Sequence, residues 1–157
     1  MKKFRGRSKF EDAVANDLEE RGIPYGYETT SYSYLAKPYN AKCFDCNSTA
    51  VFETRSYTPD FFLDNGVIIE AKGRWMPKER KILTALRKSN PELDIRMLFM
   101  RDNWLTTKKL QRYSDWCNKH DIKWAVSRVP MEWANNDAEI LRVMQAGVAK
   151  PNQGEYK

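Results

Sequence analysis

Ser56 to Trp75 reads S-Y-T-P-D-F-F-L-D-N-G-V-I-I-E-A-K-G-R-W. Two apolar runs, Phe61-Phe62-Leu63 and Val67-Ile68-Ile69, flank Asp64-Asn65-Gly66, and Asn-Gly between β-formers predicts a hairpin. The loop length decides which side chains meet. A two-residue Asn65-Gly66 turn pairs Leu63 with Ile68 and puts Asp60 and Glu70 on opposite faces. A three-residue loop pairs Leu63 with Val67 and Asp60 with Glu70, so that Asp60, Glu70 and Lys72 share one face. Asp-Asn-Gly suits the longer loop, because Gly66 takes a left-handed conformation without steric cost.

Two carboxylates and an ammonium on one face make a candidate chemical site. Hard oxygen ligands suit Mg²⁺, which keeps several waters and binds through one or two carboxylates plus substrate phosphate. Such an ion generates hydroxide and stabilises an in-line phosphoryl displacement, and Lys72 would stand beside the attacking water or the scissile phosphate. The plainer reading is the polar outer face of an amphipathic hairpin, the default for antiparallel sheets. P-D…E-x-K is short enough to arise by chance.

At 157 residues the chain has room for one domain with a core and little room for two. Its net charge of +6, from 27 Lys and Arg against 21 Asp and Glu, favours a polyanionic partner, since phosphate neutralisation releases counterions. No apolar run reaches membrane-spanning length, and no hydrophobic segment follows the basic start Met1–Arg7. The expectation is a soluble protein of the cytoplasm with no membrane partner. Three cysteines, an odd number, argue against a disulfide framework.

Residues 1–7 form a basic arm carrying Lys2, Lys3, Arg5 and Arg7, read either as a frayed terminus or as an arm on nucleic acid. Ser8-Lys9-Phe10-Glu11 predicts a capping box opening a helix, with Glu11 accepting from the Ser8 amide. Phe10, Val14 and Leu18 form its stripe, with Ala13 beside it, and Gly22 the stop. Tyr25, Tyr27 and Thr29 alternate as in a strand. Met76–Asn90 predicts a helix with Pro77 in its first turn, and Leu93–Met100 a central strand. Lys108–His120 reads as a helix capped by Thr107, with Leu110, Tyr113 and Cys117 on its stripe. Ile122–Val126 is a last strand, and Pro130 starts a terminal helix running to about Met144. The order strand, strand, helix, strand implies an α/β fold, a mixed sheet with a covering helix. Residues 147–157 look like a tail.

Cys43-x-x-Cys46 raises structural zinc, but such a site needs four ligands and no second C-x-x-C exists. Cys117-x-x-His120 is the remaining pair, and the two together would make a Cys₃His set. The competing reading places Cys117 in a core and His120 near a helix C-terminus.

Several segments together resemble the bacteriophage endonuclease I family, junction-resolving nucleases with a restriction-enzyme-like P-D…(D/E)-x-K core. They are Ser8-x-x-Glu11-Asp12, Tyr57-Thr58-Pro59-Asp60-Phe61, Asn65-Gly66, Glu70-x-Lys72-Gly73-x-Trp75 and Pro91-Glu92-Leu93-Asp94-Ile95-Arg96. Cys117-x-Lys119-His120-x-Ile122-Lys123 and Pro130-x-Glu132-Trp133 extend the match over about residues 7–134. The resemblance implies a restriction-endonuclease-like mixed central sheet flanked by helices, spanning 8–146. It implies an intertwined homodimer in which the first helix is exchanged between chains. It places metal ligands on Asp60, Glu70 and the Ala71 carbonyl, an extra carboxylate near a second ion on Glu11, and the family's lysine on Lys72. Glu11, Asp60, Glu70 and Lys72 are then the catalytic set, with Mg²⁺ as cofactor and Mn²⁺ as its substitute. The implied activity is cleavage of branched DNA, above all four-way (Holliday) junctions, with Arg5, Arg7, Arg74, Lys78, Arg80, Lys81, Lys108 and Lys109 on the backbone. A homing or restriction-type nuclease and a non-catalytic branched-DNA binding protein are the alternatives. The chain departs from the family at about 35–56, an apparent insertion in the linker that carries Cys43 and Cys46. Zinc could be shared there between the Cys43-x-x-Cys46 pairs of two chains.

Overall fold

The hairpin resolves in favour of the three-residue loop. In the computed structural model, which describes residues 5–37, 45–47 and 52–135, Phe61 pairs with Ile69 and Phe62 with Ile68. The Leu63 amide donates to the Val67 carbonyl at 2.9 Å. Gly66 takes φ +86°, the left-handed conformation that an L side chain would resist. Asn65 locks the turn from both sides: its Oδ1 accepts from the Val67 amide at 3.2 Å and its Nδ2 donates to the Trp133 carbonyl at 2.8 Å.

The hairpin strands β4 (Phe61–Leu63) and β5 (Ile68–Lys72) lie inside a five-stranded sheet. Its other strands are β1 (Tyr25–Tyr27), β6 (Ile95–Phe99) and β7 (Trp124–Val126), and the spatial order is β1-β4-β5-β6-β7. The β1, β4 and β5 pairings are antiparallel, while β5, β6 and β7 run parallel. Parallel neighbours need crossovers, supplied by α2 (Pro77–Ser89) and α3 (Tyr113–Lys119). The result is the mixed α/β sheet flanked by helices that the pattern predicts, and all five residues of β6 are buried, as befits an interior strand.

Alternation along β5 divides the core. Ile69 and Ala71 pack with Val14 and Leu18 of α1 (Lys9–Glu20), together with Phe61, Leu98 and Trp133 of α4 (Met131–Ala134). Ile68 packs on the other side with Leu83 and Leu86 of α2, Cys117 of α3, Met97 and Phe99. Glu70 and Lys72 follow Ile68 with period two and so point to the α2 side.

Two helices are shorter than the periodicity predicts. Residues 108–112 are not helical: Trp104 bridges Arg112, the Leu105 amide donates to the Gln111 carbonyl at 2.8 Å, and Lys109 has φ +52°. Leu110 is 81% exposed instead of lying on a buried stripe, and α3 starts only after Arg112. The terminal helix stops at Ala134, because Asn135 is extended; later residues, including the tail at 147–157, lie outside the described ones. In α1 the inward stripe is Glu11, Val14, Ala15 and Leu18, so Ala15 takes the place expected of Ala13. Thr29 falls outside β1, which ends where Glu28 turns to φ +49°.

Periodicity does not reveal a second, two-stranded antiparallel sheet of β2 (Tyr32–Ala36) and β3 (Glu53–Tyr57). It docks on α2, with the Leu35 amide donating to Ser89 Oγ at 3.0 Å and Asn90 Nδ2 to the Ser33 carbonyl at 2.9 Å. These strands bracket the expected insertion, of which residues 38–44 and 48–51 lie outside the described ones.

Candidate active site

The site begins where the β4–β5 ladder ends. Continuing the register sets Pro59 opposite Ala71, and proline has no N–H to donate. The Ala71 carbonyl therefore has no ladder donor from that side. The Ala71 amide turns to the side chain next door and donates to Asp60 Oδ2 at 2.9 Å. Asp60 is thus anchored through one oxygen at the end of the strand, buried to 7% exposure.

Glu70 sits across from it, 4% exposed. Its Oε1 accepts from two donors, the Tyr57 hydroxyl and Lys72 Nζ, the latter at 2.9 Å. Its Oε2 is buried without any hydrogen-bond partner. Lys72 Nζ also reaches Glu79 Oε1 at 3.3 Å, while Glu79 Oε2 accepts from the Met76 amide at 2.7 Å and so ties the lysine to the first turn of α2.

Glu11 approaches from α1. Its own amide donates to Ser8 Oγ at 3.2 Å, as a capping box requires. The reciprocal bond is one residue out of place: Glu11 Oε2 accepts from the Arg7 amide at 2.8 Å instead of the Ser8 amide. The same Oε2 accepts from the Tyr27 hydroxyl at 2.5 Å, and Oε1 accepts from Ser8 Oγ at 2.9 Å.

Electrostatics tie these groups together. Burial, then the charge of Glu70 and, more weakly, that of Glu11, push the Asp60 carboxyl up to about 7, against the pull of Lys72 and the Ala71 amide. Burial works to lower the Lys72 ammonium, but Glu70, Asp60 and Glu79 outweigh it and hold the group above its ordinary value. Burial and then Glu70 raise the Tyr57 phenol. Burial and Glu11 do the same to Tyr27. Asp60 is thus held up chiefly by burial, with the neighbouring carboxylates adding to it. Among the described residues no three His, Cys, Asp or Glu side chains close into a set able to hold a metal ion unaided. Asp60 and Glu70 offer a pair, and Glu11 stands off from it.

Of the cationic residues singled out, Arg5, Arg7, Arg74, Lys78, Lys81, Lys108 and Lys109 are exposed. Two also have partners within the chain: Arg7 Nε pairs with Glu28 Oε1 at 2.9 Å, and the half-buried Arg80 donates to the Trp75 carbonyl at 2.8 Å while lying over the Trp75 ring. Cys117 is fully buried, its thiol pushed up to about 12 by burial and then by Asp102. His120 caps α3, with Nδ1 2.7 Å from the Trp116 carbonyl and its ring stacked on Trp116. Both occupy the core and helix-end positions of the reading that competes with zinc. Cys46 is exposed, and Cys43 lies outside the described residues. Sequence reasoning misses Tyr27, Tyr57 and Glu79, since each meets its partner across elements and no spacing rule links them.

The residues 1–153 match the family model of phage endonuclease I. Endonuclease I of Escherichia phage T7 is 36% identical over 128 residues, covering 81% of this chain and 76% of its own length. Endodeoxyribonuclease 1 of Enterobacteria phage T3 is 35% identical over 126 residues, covering 80% and 74% respectively. A mixed α/β sheet with paired acidic residues at a strand end is an arrangement suited to nuclease chemistry. The chain belongs to the phage endonuclease I family.

Proposed function

We propose that this chain is a Mg²⁺-dependent, structure-selective endonuclease that resolves four-way junctions and other branched DNA by paired nicks, one per subunit of a homodimer. Family membership makes it an endodeoxyribonuclease. The observation that carries the metal reading is the bare, buried Oε2 of Glu70 beside an Asp60 that burial and neighbouring charge hold near pH 7. An unpartnered buried carboxylate oxygen is costly, and a hard divalent cation is the group that relieves it. Asp60 and Glu70 would hold the ion, with the Ala71 carbonyl, freed from the ladder by Pro59, as a third oxygen. When bound, the ion supplies hydroxide at neutral pH and neutralises charge on the phosphate. Mn²⁺ should substitute.

The carboxylates of Glu70, Asp60 and Glu79 favour the charged form of Lys72 in the metal-free site, and it would serve as a charge that orients water or steadies the phosphorane. Glu11 would help hold a second ion, which requires it to release one of its present donors. In the single chain α1 closes on its own sheet; in the exchanged dimer the same contacts would come from the partner, and each site would draw Glu11 from one chain and Asp60, Glu70 and Lys72 from the other. Junction recognition by shape would rest on phosphate contacts from Arg5, Arg7, Arg74, Lys78, Lys81, Lys108 and Lys109 more than on base contacts. A restriction-endonuclease-like ancestry of the sheet and residence in the host cytoplasm belong to the same reading. Among the described residues no helix is long and apolar enough to cross a membrane.

One assay tests the proposal: the protein and Mg²⁺ with a four-way junction, a linear duplex and a nicked duplex. Paired junction nicks are expected. Cutting at one linear sequence would favour a homing or restriction-type enzyme, and junction binding without cuts a non-catalytic binding protein.

A further inference from the structure

Tyr57 is the last residue of β3, and of that strand's five residues it alone is not exposed. Within β3 it is therefore the side chain that reaches the site on the five-stranded sheet. Its hydroxyl donates to Glu70 Oε1, the oxygen that Lys72 Nζ also approaches at 2.9 Å. Both donors fall on one oxygen and none on the other. A glutamate carboxylate has a broad, roughly two-fold torsion at its end, so without an anchor it can swing either oxygen into a site. Lys72 is an unreliable anchor, because it also serves Glu79 at 3.3 Å and must address a phosphate during turnover. The phenol has no such second duty.

We infer that Tyr57 is a positioning residue of the cation site: by holding Oε1 of Glu70 it presents Oε2 to the ion and keeps it there when Lys72 turns to the substrate. This rests on the reading of Glu70 as a metal ligand. Groups that orient a metal ligand from behind typically change metal affinity by about 10–100-fold when removed.

The test is Tyr57→Phe, which deletes one oxygen and retains the ring. Metal-free protein is titrated with Mg²⁺ by calorimetry, and Glu70→Gln is carried in parallel. Tyr57→Phe should bind Mg²⁺ about tenfold more weakly while its melting temperature stays close to that of the parent. Its cleavage deficit should shrink as Mg²⁺ is raised. A purely structural role would lower the melting temperature and leave the affinity of the folded protein unmoved. Mg²⁺ affinity within twofold of the parent, or a loss of fold seen by circular dichroism, overturns the inference. If Glu70→Gln itself binds Mg²⁺ normally, the metal reading of Glu70 fails; if it loses Mg²⁺ while Tyr57→Phe does not, only the role of Tyr57 falls.

Discussion

Glu11 and Glu70 are both buried carboxylates, 7% and 4% exposed, and each is met by a tyrosine hydroxyl. They differ in where the donors land. Glu11 has its two oxygens satisfied, by the Arg7 amide and Tyr27 on one and by Ser8 on the other. Glu70 collects both donors on Oε1 and leaves Oε2 bare. Burial and residue type do not separate the two roles; the distribution of hydrogen bonds does. Glu11 is a helix start with both oxygens bonded, whereas Glu70 keeps one bare oxygen, the one the proposed cation would take.

The largest effect should come from Glu70→Gln. Losing a metal ligand removes several kcal/mol of transition-state charge stabilisation, so cleavage should fall by about 10³-fold or more. The metal-free variant should lose little stability, because the Lys72 pairing that Oε1 gives up is offset by removal of the unpartnered charged oxygen, and Lys72 keeps Glu79. Thermal melts without metal check this, and a marked loss of stability would place Glu70 with Glu11 as a structural group.

Asp60 provides the next test. Its carboxyl rises from 3.8 to about 7 in the folded chain. Between those values the folded chain holds a proton that the unfolded chain has released, so the contribution of Asp60 to metal-free stability is full below about pH 4 and is lost as pH rises through 7. A shift of this size amounts to roughly a few kcal/mol. Melts from pH 5 to 8 should show the decline, and Asp60→Asn should flatten it. Mg²⁺ binding at pH 6 should release close to one proton per site, and much less at pH 8, measured in buffers of different ionisation enthalpy. Glu70 outweighs Glu11 as a cause of the shift, so Glu70→Gln should narrow the pH dependence more than Glu11→Gln does.

Glu11→Gln itself should be milder. The amide retains one carbonyl acceptor for three donors, and the helix start loses its charge, so stability should drop by about 1–2 kcal/mol. Cleavage should fall by about tenfold if Glu11 helps hold a second ion, about two orders or more less than for Glu70→Gln. A loss as deep as that of Glu70→Gln would mean that Glu11 is an indispensable ligand and that its present hydrogen bonds give way entirely.

These contrasts show which features were legible in the sequence. The hairpin register, the shared face of Asp60, Glu70 and Lys72, and the capping of α1 follow from local rules: strand alternation, the left-handed Gly66, and Ser8 three residues before Glu11. The antiparallel-then-parallel sheet follows from the order of apolar runs. What local rules missed depends on contacts between elements. Lys108–Arg112 has helical composition, but the Trp104–Arg112 bridge holds it as a loop. The β2–β3 ribbon is joined through residues 37–52 and carries no apolar alternation strong enough to predict it. The hydroxyl bonds of Tyr57 and Tyr27 have no local signal because their partners lie 13 and 16 residues away.

The smallest effects concern cations, and the logic separating Glu11 from Glu70 applies to them too. Arg80 and Lys81 are neighbours on α2 and equal in charge, yet Arg80 is committed to the Trp75 carbonyl and ring while Lys81 is exposed. Arg80→Ala should lower the melting temperature through loss of that charged hydrogen bond, about 1–2 kcal/mol, and change the salt dependence of DNA binding little. Lys81→Ala should leave stability within about 0.5 kcal/mol, weaken binding to every DNA arm alike, and reduce the salt slope by about 1. Binding isotherms at several salt concentrations, without divalent metal, distinguish the two. If Arg80→Ala changes the slope as much as Lys81→Ala, a committed donor is no guide to function on this surface, and the contrast between Glu11 and Glu70 would then rest on their cleavage kinetics alone.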